Sequence, residues 1–223
     1  MAILSGPDIV RDGLVLCLDA ANNKSYPGTG TVWYDISGNN RNAIKAGSQS
    51  PTYPQYNSDG FFTFTGGIVA NNYSRFDVSS PFMNDLTAEV FFRPTNAAGT
   101  IFRMNNDDYH IAINRVAAGE AYNDFVLYPS TSNGLNNWVH NAITWQNGLN
   151  LTFYKNGTIF SSGTRNTQDA NGVAAGTLRI GTRNDAYAEH FFGDIALIRI
   201  YNRALTNLEI QQNFNSVRGR FGL

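Results

Sequence analysis

Short apolar or alternating segments recur along the chain and are separated by turns rich in Gly, Asn and Ser. Alternation of apolar and polar positions is typical of half-buried strands, and many short strands with turns between them indicate a two-sheet sandwich. The predicted strands span residues 14–18, 61–65, 87–92, 100–103, 109–113, 125–128, 138–145, 149–154, 158–161, 177–181 and 195–201. The pattern predicts an all-β, antiparallel, two-sheet sandwich.

Two Asn-Gly pairs lie close together, at 147–148 and 156–157. Both residues of a type I′ turn need positive φ angles, which Asn and Gly adopt readily, so each pair favours a tight β-hairpin. The two pairs therefore predict a three-strand meander over residues 138–161.

One segment near the end of the chain, residues 207–218, has apolar residues spaced to share one face of a helix. Thr206 and Glu209 fit a capping box at its start, and Gly219 suits the position just after its end. We expect a short C-terminal helix that packs on the sandwich as a cover.

The chain shows no internal repeat and no Pro- or Ser-rich linker, which predicts one domain. We place an N-terminal arm at residues 1–11 and a single sandwich domain at residues 12–223. Residues 19–56 are the least regular stretch and are predicted to form long loops on one rim of the sandwich. Binding often resides in such loops.

Charge and composition limit the partners and the compartment. Sixteen Lys and Arg residues against seventeen Asp and Glu residues give a net charge of -1, so nothing attracts nucleic acid or anionic lipid over long range. No signal peptide and no membrane-spanning run is recognisable, and we expect synthesis in a cytoplasm, no membrane insertion and no nucleic-acid partner. The single cysteine, Cys17, excludes an internal disulfide and is predicted to be a buried apolar residue.

Three segments carry a family pattern in a fixed order. Residues 138–145 read WVHNAITW and lead to a hairpin that ends in Asn156-Gly157, residues 178–181 read LRIG, and residues 192–205 read FGDIALIRIYNRAL. In this order they resemble the laminin-G-like jelly-roll domains of the concanavalin A-like lectin and glucanase superfamily. The resemblance covers nearly the whole chain and implies a jelly roll.

A second pattern lies at the two ends of the chain. Residues 12–22 and 33–39 are similar to phage and environmental variants of this domain, and residues 211–223 resemble bacteriophage structural proteins that carry it. This resemblance implies a non-catalytic virion component, such as a fibre, decoration protein or adhesin, that contacts cell-surface glycan or other coat subunits. Assembly as a homo-oligomer is left open.

Two alternatives remain beside that interpretation. A glycoside hydrolase on the same sandwich needs paired carboxylates, and no Glu-x-Asp-x-x-Glu run is present, so an enzyme would have to combine Asp19, Glu89 or Asp194 from separate strands. Glu89 is predicted to be an outward residue on a half-buried strand, and we expect no catalytic residue. The other alternative is a purely structural capsid cement protein with no glycan role.

Residues 35–42, DISGNNRN, form a candidate metal loop. Calcium takes six to eight oxygen ligands, and a Gly/Asn loop can turn carbonyl groups inward. The family resemblance implies a structural calcium ion held by Asp35, Asn39 and Asp194. The same residue types are also ordinary turn formers, because their side chains bond to their own backbone, and both interpretations stay open.

Sugar binding requires aromatic faces beside polar groups, since CH groups pack on the ring while hydroxyl groups form hydrogen bonds. The aromatic residues in or near the predicted rim loops are candidates for this role. They are Tyr26, Trp33, Tyr34, Tyr53 and Tyr56. Packing of these rings in the core is the alternative.

Overall fold

The computed structural model describes residues 7–46, 54–65, 74–81, 83–96, 99–104, 109–113, 124–127, 135–146, 150–164, 175–182 and 190–223. These residues form fifteen strands, one α-helix and a 3-10 helix. The strands are β1 (Leu14–Asp19), β2 (Val32–Trp33), β3 (Ala43–Ala46), β4 (Gln55–Asn57), β5 (Phe61–Thr65), β6 (Arg75–Ser80), β7 (Leu86–Pro94), β8 (Gly99–Met104), β9 (Tyr109–Ile113), β10 (Asp124–Leu127), β11 (Val139–Gln146), β12 (Asn150–Lys155), β13 (Thr158–Thr164), β14 (Gly176–Ile180) and β15 (Phe192–Tyr201). The α-helix is α1 (Asn207–Val217), and the 3-10 helix spans Arg218–Phe221.

The strands form two sheets. Sheet A has eight strands, in the order β13-β12-β11-β7-β15-β5-β4 with β1 also paired to β15, and sheet B has seven, in the order β10-β9-β8-β14-β6-β3-β2. Described neighbours are antiparallel except β9 and β10, which run parallel. The predicted all-β sandwich with a short C-terminal helix is confirmed, and the parallel pair is a local departure from it.

The core between the sheets is built from alternating positions. In β6, Phe76 and Val78 are buried, while Arg75 and Asp77 alternate with them along the strand and face outward. Aromatic rings fill the centre, with the Phe62 ring centroid 4.8 Å from Trp33 and 4.9 Å from Phe76. Tilted and edge-on ring pairs at these distances are favourable beyond the area they bury.

Sheet A is covered on both faces, so its central strands β7 and β15 are buried almost throughout. Helix α1 covers the outer face, where Ile210 packs with Tyr201, and Phe214 packs with Phe91. Glu89 of β7 lies on this covered face and is buried. The prediction that Glu89 is an outward residue on a half-buried strand is therefore wrong, because a helix from the far end of the chain takes the place of solvent on that face.

Helix α1 begins as predicted. Thr206 is the N-cap, its side chain accepts a hydrogen bond from the Glu209 backbone, and the Glu209 carboxylate accepts one from the Thr206 backbone at 2.8 Å. The α-helix ends at Val217, one residue before the predicted end, but Gly219 does not cap it. The chain passes Gly219 in a 3-10 helix, and the left-handed residue is Gly222, with φ 68°. No helix in the described part of the chain is long and apolar enough to span a bilayer.

Part of the predicted N-terminal arm lies against the domain. The Val10 backbone N–H donates to Asn213 Oδ1 at 2.8 Å, and the Tyr201 hydroxyl donates to the Val10 carbonyl at 3.0 Å. Gln212 of α1 donates to the Asp8 carbonyl at 2.6 Å. Residues 1–6 lie outside the described residues, and the boundary at residue 11 stays a prediction.

The structure also bears on the two predicted Asn-Gly turns and on the predicted long loops of residues 19–56. Asn156 and Gly157 have φ angles of 49° and 74°, which confirms the left-handed turn between β12 and β13. The pair at 147–148 lies outside the described residues. Residues 19–56 are not all loop, because β2 and β3 add two strands to sheet B, and β4 adds one to sheet A.

Candidate ligand-binding surface

The predicted sugar-binding aromatics have different environments. Tyr26 and Trp33 are buried in the core. Tyr56 is partly buried, with its ring centroid 4.7 Å from that of Tyr26, whereas Tyr34 is 43% exposed. Tyr53 lies outside the described residues. The ligand-binding role of the set stays a prediction, and of its four described members Tyr34 offers the open ring.

Two hydrogen bonds hold the backbone of Tyr34 in place. Its N–H donates to the Ser25 carbonyl at 2.7 Å, and the Ser25 hydroxyl donates to the Tyr34 carbonyl at 2.6 Å. These two hydrogen bonds join Tyr34, the residue that follows β2, to the buried Ser25, which lies before β2 in the chain.

The Asp35 carboxylate stabilises its own loop by accepting hydrogen bonds. Its Oδ1 atom accepts hydrogen bonds from the backbone N–H groups of Cys17 at 2.9 Å and Ser37 at 2.8 Å. Its Oδ2 atom accepts from the Ser37 hydroxyl at 2.8 Å and from the Arg41 N–H at 3.0 Å. A carboxylate oxygen has about two lone-pair positions, so all four are occupied by donors.

The other two residues of the predicted calcium site do not complete it. The Asn39 amide nitrogen donates to the Leu14 carbonyl at 3.1 Å. Asp194 is bound elsewhere, to Thr63 Oγ1 at 2.6 Å and to Arg93 Nε at 2.8 Å. No group of three or more His, Cys, Asp or Glu side chains among the described residues is arranged to hold a metal ion. The residues present do not fit the predicted calcium ion, and nothing below relies on one.

The three carboxylates that an enzyme would combine are each paired with a different arginine. Asp19 accepts from Arg220 at 2.9 Å. Asp194 is paired with Arg93, and the buried Glu89 lies 3.5 Å from Arg199. A glycosidase needs two carboxyl groups beside one accessible sugar. Glu89 cannot meet this requirement under α1.

A row of outward side chains crosses sheet B. The backbone register pairs Val32 with Ile44, Ile44 with Asp77, Asp77 with Arg179, and Arg179 with Arg103. Each of the first four positions has a buried residue beside it in its strand, so these positions face away from the core. The buried neighbours are Trp33, Ala43, Phe76, Val78, Leu178 and Ile180. Adjacent strands lie about 4.8 Å apart, so the row from Ile44 to Arg103 extends about 14 Å.

The row combines two apolar residues with three charged ones. Ile44 is exposed, Asp77 is partly exposed, and Arg75 holds Asp77 with its Nε atom 3.0 Å from Oδ1. Arg179 is partly exposed, whereas Arg103 is only 1% exposed. The accessible part of the row therefore extends from Val32 to Arg179.

A second row of polar groups lies beside the first. Ser79 and Thr177 are register partners on β6 and β14, and both are exposed. Arg41 reaches the Ser79 carbonyl at 3.4 Å. Tyr34 is two residues beyond Val32, and the alternation that buries Trp33 places Tyr34 on the same side as Val32.

We call this set the outward surface of sheet B. It consists of Val32, Tyr34, Ile44, Asp77, Ser79, Thr177 and Arg179. Of these residues, Tyr34 alone is among the ligand-binding residues predicted from the sequence. The available signal was the alternation of polar and buried positions in β6 and β14, while the alignment of those positions across the sheet depends on register.

Comparison with known proteins identifies the fold independently. A family model described as Concanavalin A-like lectin/glucanases superfamily matches residues 70–211. No curated protein sequence matches the chain.

Solved structures of similar fold include toxin binding domains. The binding domain of Botulinum neurotoxin DC in complex with rat synaptotagmin II has 16% identity and a TM-score of 0.60, covering 93% of this chain and 52% of that one. The same domain in complex with SialylT gives the same values. The binding domain of Paraclostridial Mosquitocidal Protein 1 has 19% identity and a TM-score of 0.59, covering 92% of this chain and 52% of that one. This chain spans about half the length of those domains, and at such identities the likeness concerns the fold alone.

Proposed function

Because this chain belongs to the concanavalin A-like lectin/glucanase superfamily, we propose that it is a non-catalytic binding module whose ligand, a glycan, lies on the outward surface of sheet B. The observation that carries the proposal is the row of register partners that places Ile44, Asp77 and Arg179 side by side. Fold alone does not decide function, so the proposed ligand rests on these side chains.

The chemistry of the surface suits a sugar. An Asp carboxylate accepts hydrogen bonds from hydroxyl groups, an Arg guanidinium donates several, and the Ser79 and Thr177 hydroxyls can do both. The exposed Tyr34 ring and Ile44 side chain offer apolar area for the CH face of a sugar ring. The binding domains of similar fold in complex with SialylT and with synaptotagmin support a binding role.

The proposal includes the absence of catalysis. The carboxylates of Asp19, Glu89 and Asp194 are each engaged by an arginine, and these ion pairs support a structural role. The test is hydrolysis of a polysaccharide panel. Turnover that Glu89→Gln abolishes while the melting temperature is retained would contradict this part of the proposal.

The biological setting is a further part of the proposal. The resemblance of residues 12–22 and 33–39 to phage and environmental variants of this domain, and of residues 211–223 to bacteriophage structural proteins, supports a virion component. Localisation to purified particles would test it. Binding to a particle without binding to any glycan would favour the structural cement alternative.

The experiment for the ligand surface is a glycan array followed by calorimetry on a glycan that binds. Asp77→Ser should weaken binding roughly ten- to a hundredfold, because a hydrogen bond to a charged group contributes about 1.5–3 kcal/mol. The control is Asp12→Ser, since Asp12 is also a carboxylate paired with an arginine, Arg203, but lies away from sheet B.

Three results would decide the location of the site. Binding that is lost in Asp77→Ser and kept in Asp12→Ser, with equal melting temperatures, supports the proposed surface. Glycan binding that both variants keep would place the site elsewhere. Binding to no glycan on the array would contradict the proposal that the ligand is a glycan.

A further inference from the structure

A row of outward side chains also crosses sheet A. The backbone register pairs Gln55 with Thr63, Thr63 with Asp194, and Asp194 with Arg93. Both neighbours of Thr63 in β5 lie in the core, so Thr63 and its register partners face away from the core. Thr63 and Arg93 are partly exposed, which leaves this part of the face open to solvent, whereas α1 covers Glu89 elsewhere on β7.

A buried carboxylate fixes the Arg93 guanidinium along one edge. Arg93 Nε and Nη2 each lie 2.8 Å from Asp194 Oδ2. The Thr63 hydroxyl donates to Asp194 Oδ1 at 2.6 Å and so holds the carboxylate in place. Among the described residues, Asp194 is the hydrogen-bond partner of Arg93, whose side chain is 34% exposed. Because a guanidinium carries its N–H donors in a rigid planar fork, the donors on the far edge point away from Asp194.

Two aromatic rings lie against the same guanidinium. Arg93 Cζ is 5.2 Å from the ring centroid of Phe61 and 5.1 Å from that of Trp138, which is within the range of cation–π attraction. Trp138 is partly exposed, whereas the other two tryptophans of the chain, Trp33 and Trp145, are fully buried. This part of sheet A therefore presents an oriented arginine beside an accessible indole ring.

We propose that Arg93 and Trp138 form a second ligand site, separate from the outward surface of sheet B, for a sugar that carries a carboxylate group. The carboxylate accepts hydrogen bonds from the guanidinium edge that Asp194 leaves open. The CH groups of the sugar ring pack on the Trp138 indole. The Thr63 hydroxyl donates to Asp194 and can still accept a hydrogen bond from a hydroxyl group of the sugar.

The charge of the site favours a single sugar carboxylate over an acidic peptide. Arg93 and Asp194 neutralise each other, so the pair has no excess positive charge to attract a run of acidic residues. One planar guanidinium edge matches one carboxylate in a bidentate arrangement. The adjacent indole ring of Trp138 supplies the flat apolar face on which a sugar ring packs.

The test uses three small probes with the whole chain at neutral pH. They are glucuronate, glucose, which has the same ring without the carboxylate, and acetate, which has the carboxylate without the ring. Glucuronate should bind with a dissociation constant on the order of 1 mM, given the binding energy per atom that is usual for small ligands. Glucose and acetate should each bind about tenfold more weakly or worse, since each lacks one of the two contacts.

Nuclear magnetic resonance of the indole N–H groups locates the bound probe without any substitution. The Trp138 signal should shift as glucuronate is added, whereas the signals of Trp33 and Trp145 should stay in place because both rings are buried. This measurement on the wild-type chain does not depend on whether a variant folds.

The decisive variant is Arg93→Lys, which keeps a positive charge beside Asp194 but loses the planar fork. It should raise the dissociation constant for glucuronate about tenfold or more. The control is Arg203→Lys, because Arg203 is likewise paired with a carboxylate, that of Glu209, and its side chain is 28% exposed. Arg203→Lys should bind glucuronate as the wild type does.

The outcomes separate this site from the outward surface of sheet B. Glucuronate binding that shifts the Trp138 signal, is weakened in Arg93→Lys and is kept in Arg203→Lys supports the proposal. Equal binding of glucuronate and acetate would overturn the sugar, and equal binding of glucuronate and glucose would overturn the role of the carboxylate. Binding that Asp77→Ser removes and Arg93→Lys keeps would assign the acidic sugar to sheet B and overturn the second site, as would no glucuronate binding at all.

Discussion

Glu89 and Arg199 are register partners on the adjacent strands β7 and β15, and Glu89 Oε2 lies 3.5 Å from Arg199 Nη1 beneath helix α1. Asn213 of α1 donates to the same oxygen at 3.0 Å. The helix thus excludes water from this pair of charges. It also supplies one of the hydrogen bonds that compensate for the lost hydration. The pair couples the C-terminal helix to the centre of sheet A.

Removing the carboxylate of this pair should strongly destabilise the fold. We expect Glu89→Ala to lower the free energy of unfolding by about 3–5 kcal/mol, because Arg199 is left as a buried charge without its partner. Asp12→Ala is the control, since Asp12 forms an exposed ion pair with Arg203 and should cost less than about 1 kcal/mol. Chemical denaturation measures both values. Equal losses in the two variants would contradict the expected role of burial.

Calcium should leave the stability of the chain unchanged. A ligand that binds only the folded state raises the melting temperature, and Asp35 has no lone pair left for such a ligand. We therefore expect the same melting temperature with calcium and with a chelator. A rise with calcium that Asp35→Ala abolishes would contradict the geometry and restore the predicted site.

Asp35 should nevertheless matter for stability. Asp35→Ala leaves the backbone N–H of Cys17 buried without its partner, which costs about 1–3 kcal/mol. Asn39→Ala is the comparison, because Asn39 lies in the same loop but the hydrogen bonds of its side-chain amide are exposed to solvent. Thermal melting of both variants, without added metal, checks this expectation. An effect of Asn39→Ala as large as that of Asp35→Ala would refute it.

The parts of the fold that sequence predicts are those with a local signal. The capping box of Thr206 and Glu209 and the turn at Asn156-Gly157 each depend on residues only a few positions apart. β2, β3 and β4 have only two to four residues, too few to show alternation. The exposure of Glu89 could not be predicted either, because α1 covers it from the far end of the chain.

The candidate surface likewise depends on contacts between residues that are far apart in the chain. Residues 75–80 are not among the predicted strands, although their alternation places Asp77 on the face opposite Phe76 and Val78. Nothing in the sequence places Asp77 beside Arg179, because these residues are far apart in the chain and meet only through the register of β6 with β14. The register is set by the packing of the whole sheet. The aromatic candidates illustrate a different limit, since a residue type alone does not distinguish the buried Trp33 from the exposed Tyr34.

Acid should remove the contribution of Glu209 to stability. Hydrogen bonds from Arg203, at 2.6 Å and 3.0 Å, lower the pKa of Glu209 from 4.5 to about 2. A pKa that folding lowers stabilises the fold above the ordinary value, and this stabilisation is lost as pH falls toward the folded value. The wild type should therefore exceed Glu209→Gln in stability above about pH 4.5, and the difference should vanish near pH 2.

The control for this pH dependence is Asp12→Asn, which removes a different carboxylate from Arg203. It leaves both hydrogen bonds between Arg203 and Glu209 in place, so its stability curve should keep the shape of the wild-type curve. Melting temperatures between pH 5 and pH 2 provide the comparison. A constant difference between Glu209→Gln and wild type across this range would show that the helix gains from the capping geometry and not from the charge.

Tyr34 and Trp33 are neighbours in the chain, and substituting each in turn should separate an effect on glycan binding from an effect on stability. Trp33→Ala removes a buried ring from the core and should cost about 3–5 kcal/mol of stability. Tyr34→Ala removes an exposed ring and should leave the melting temperature nearly unchanged while it weakens glycan binding, whereas Tyr34→Phe keeps the apolar face and should retain much of the affinity. If Tyr34→Ala binds as well as the wild type, the ring is not part of the ligand surface, and binding on sheet B would depend on the polar row alone.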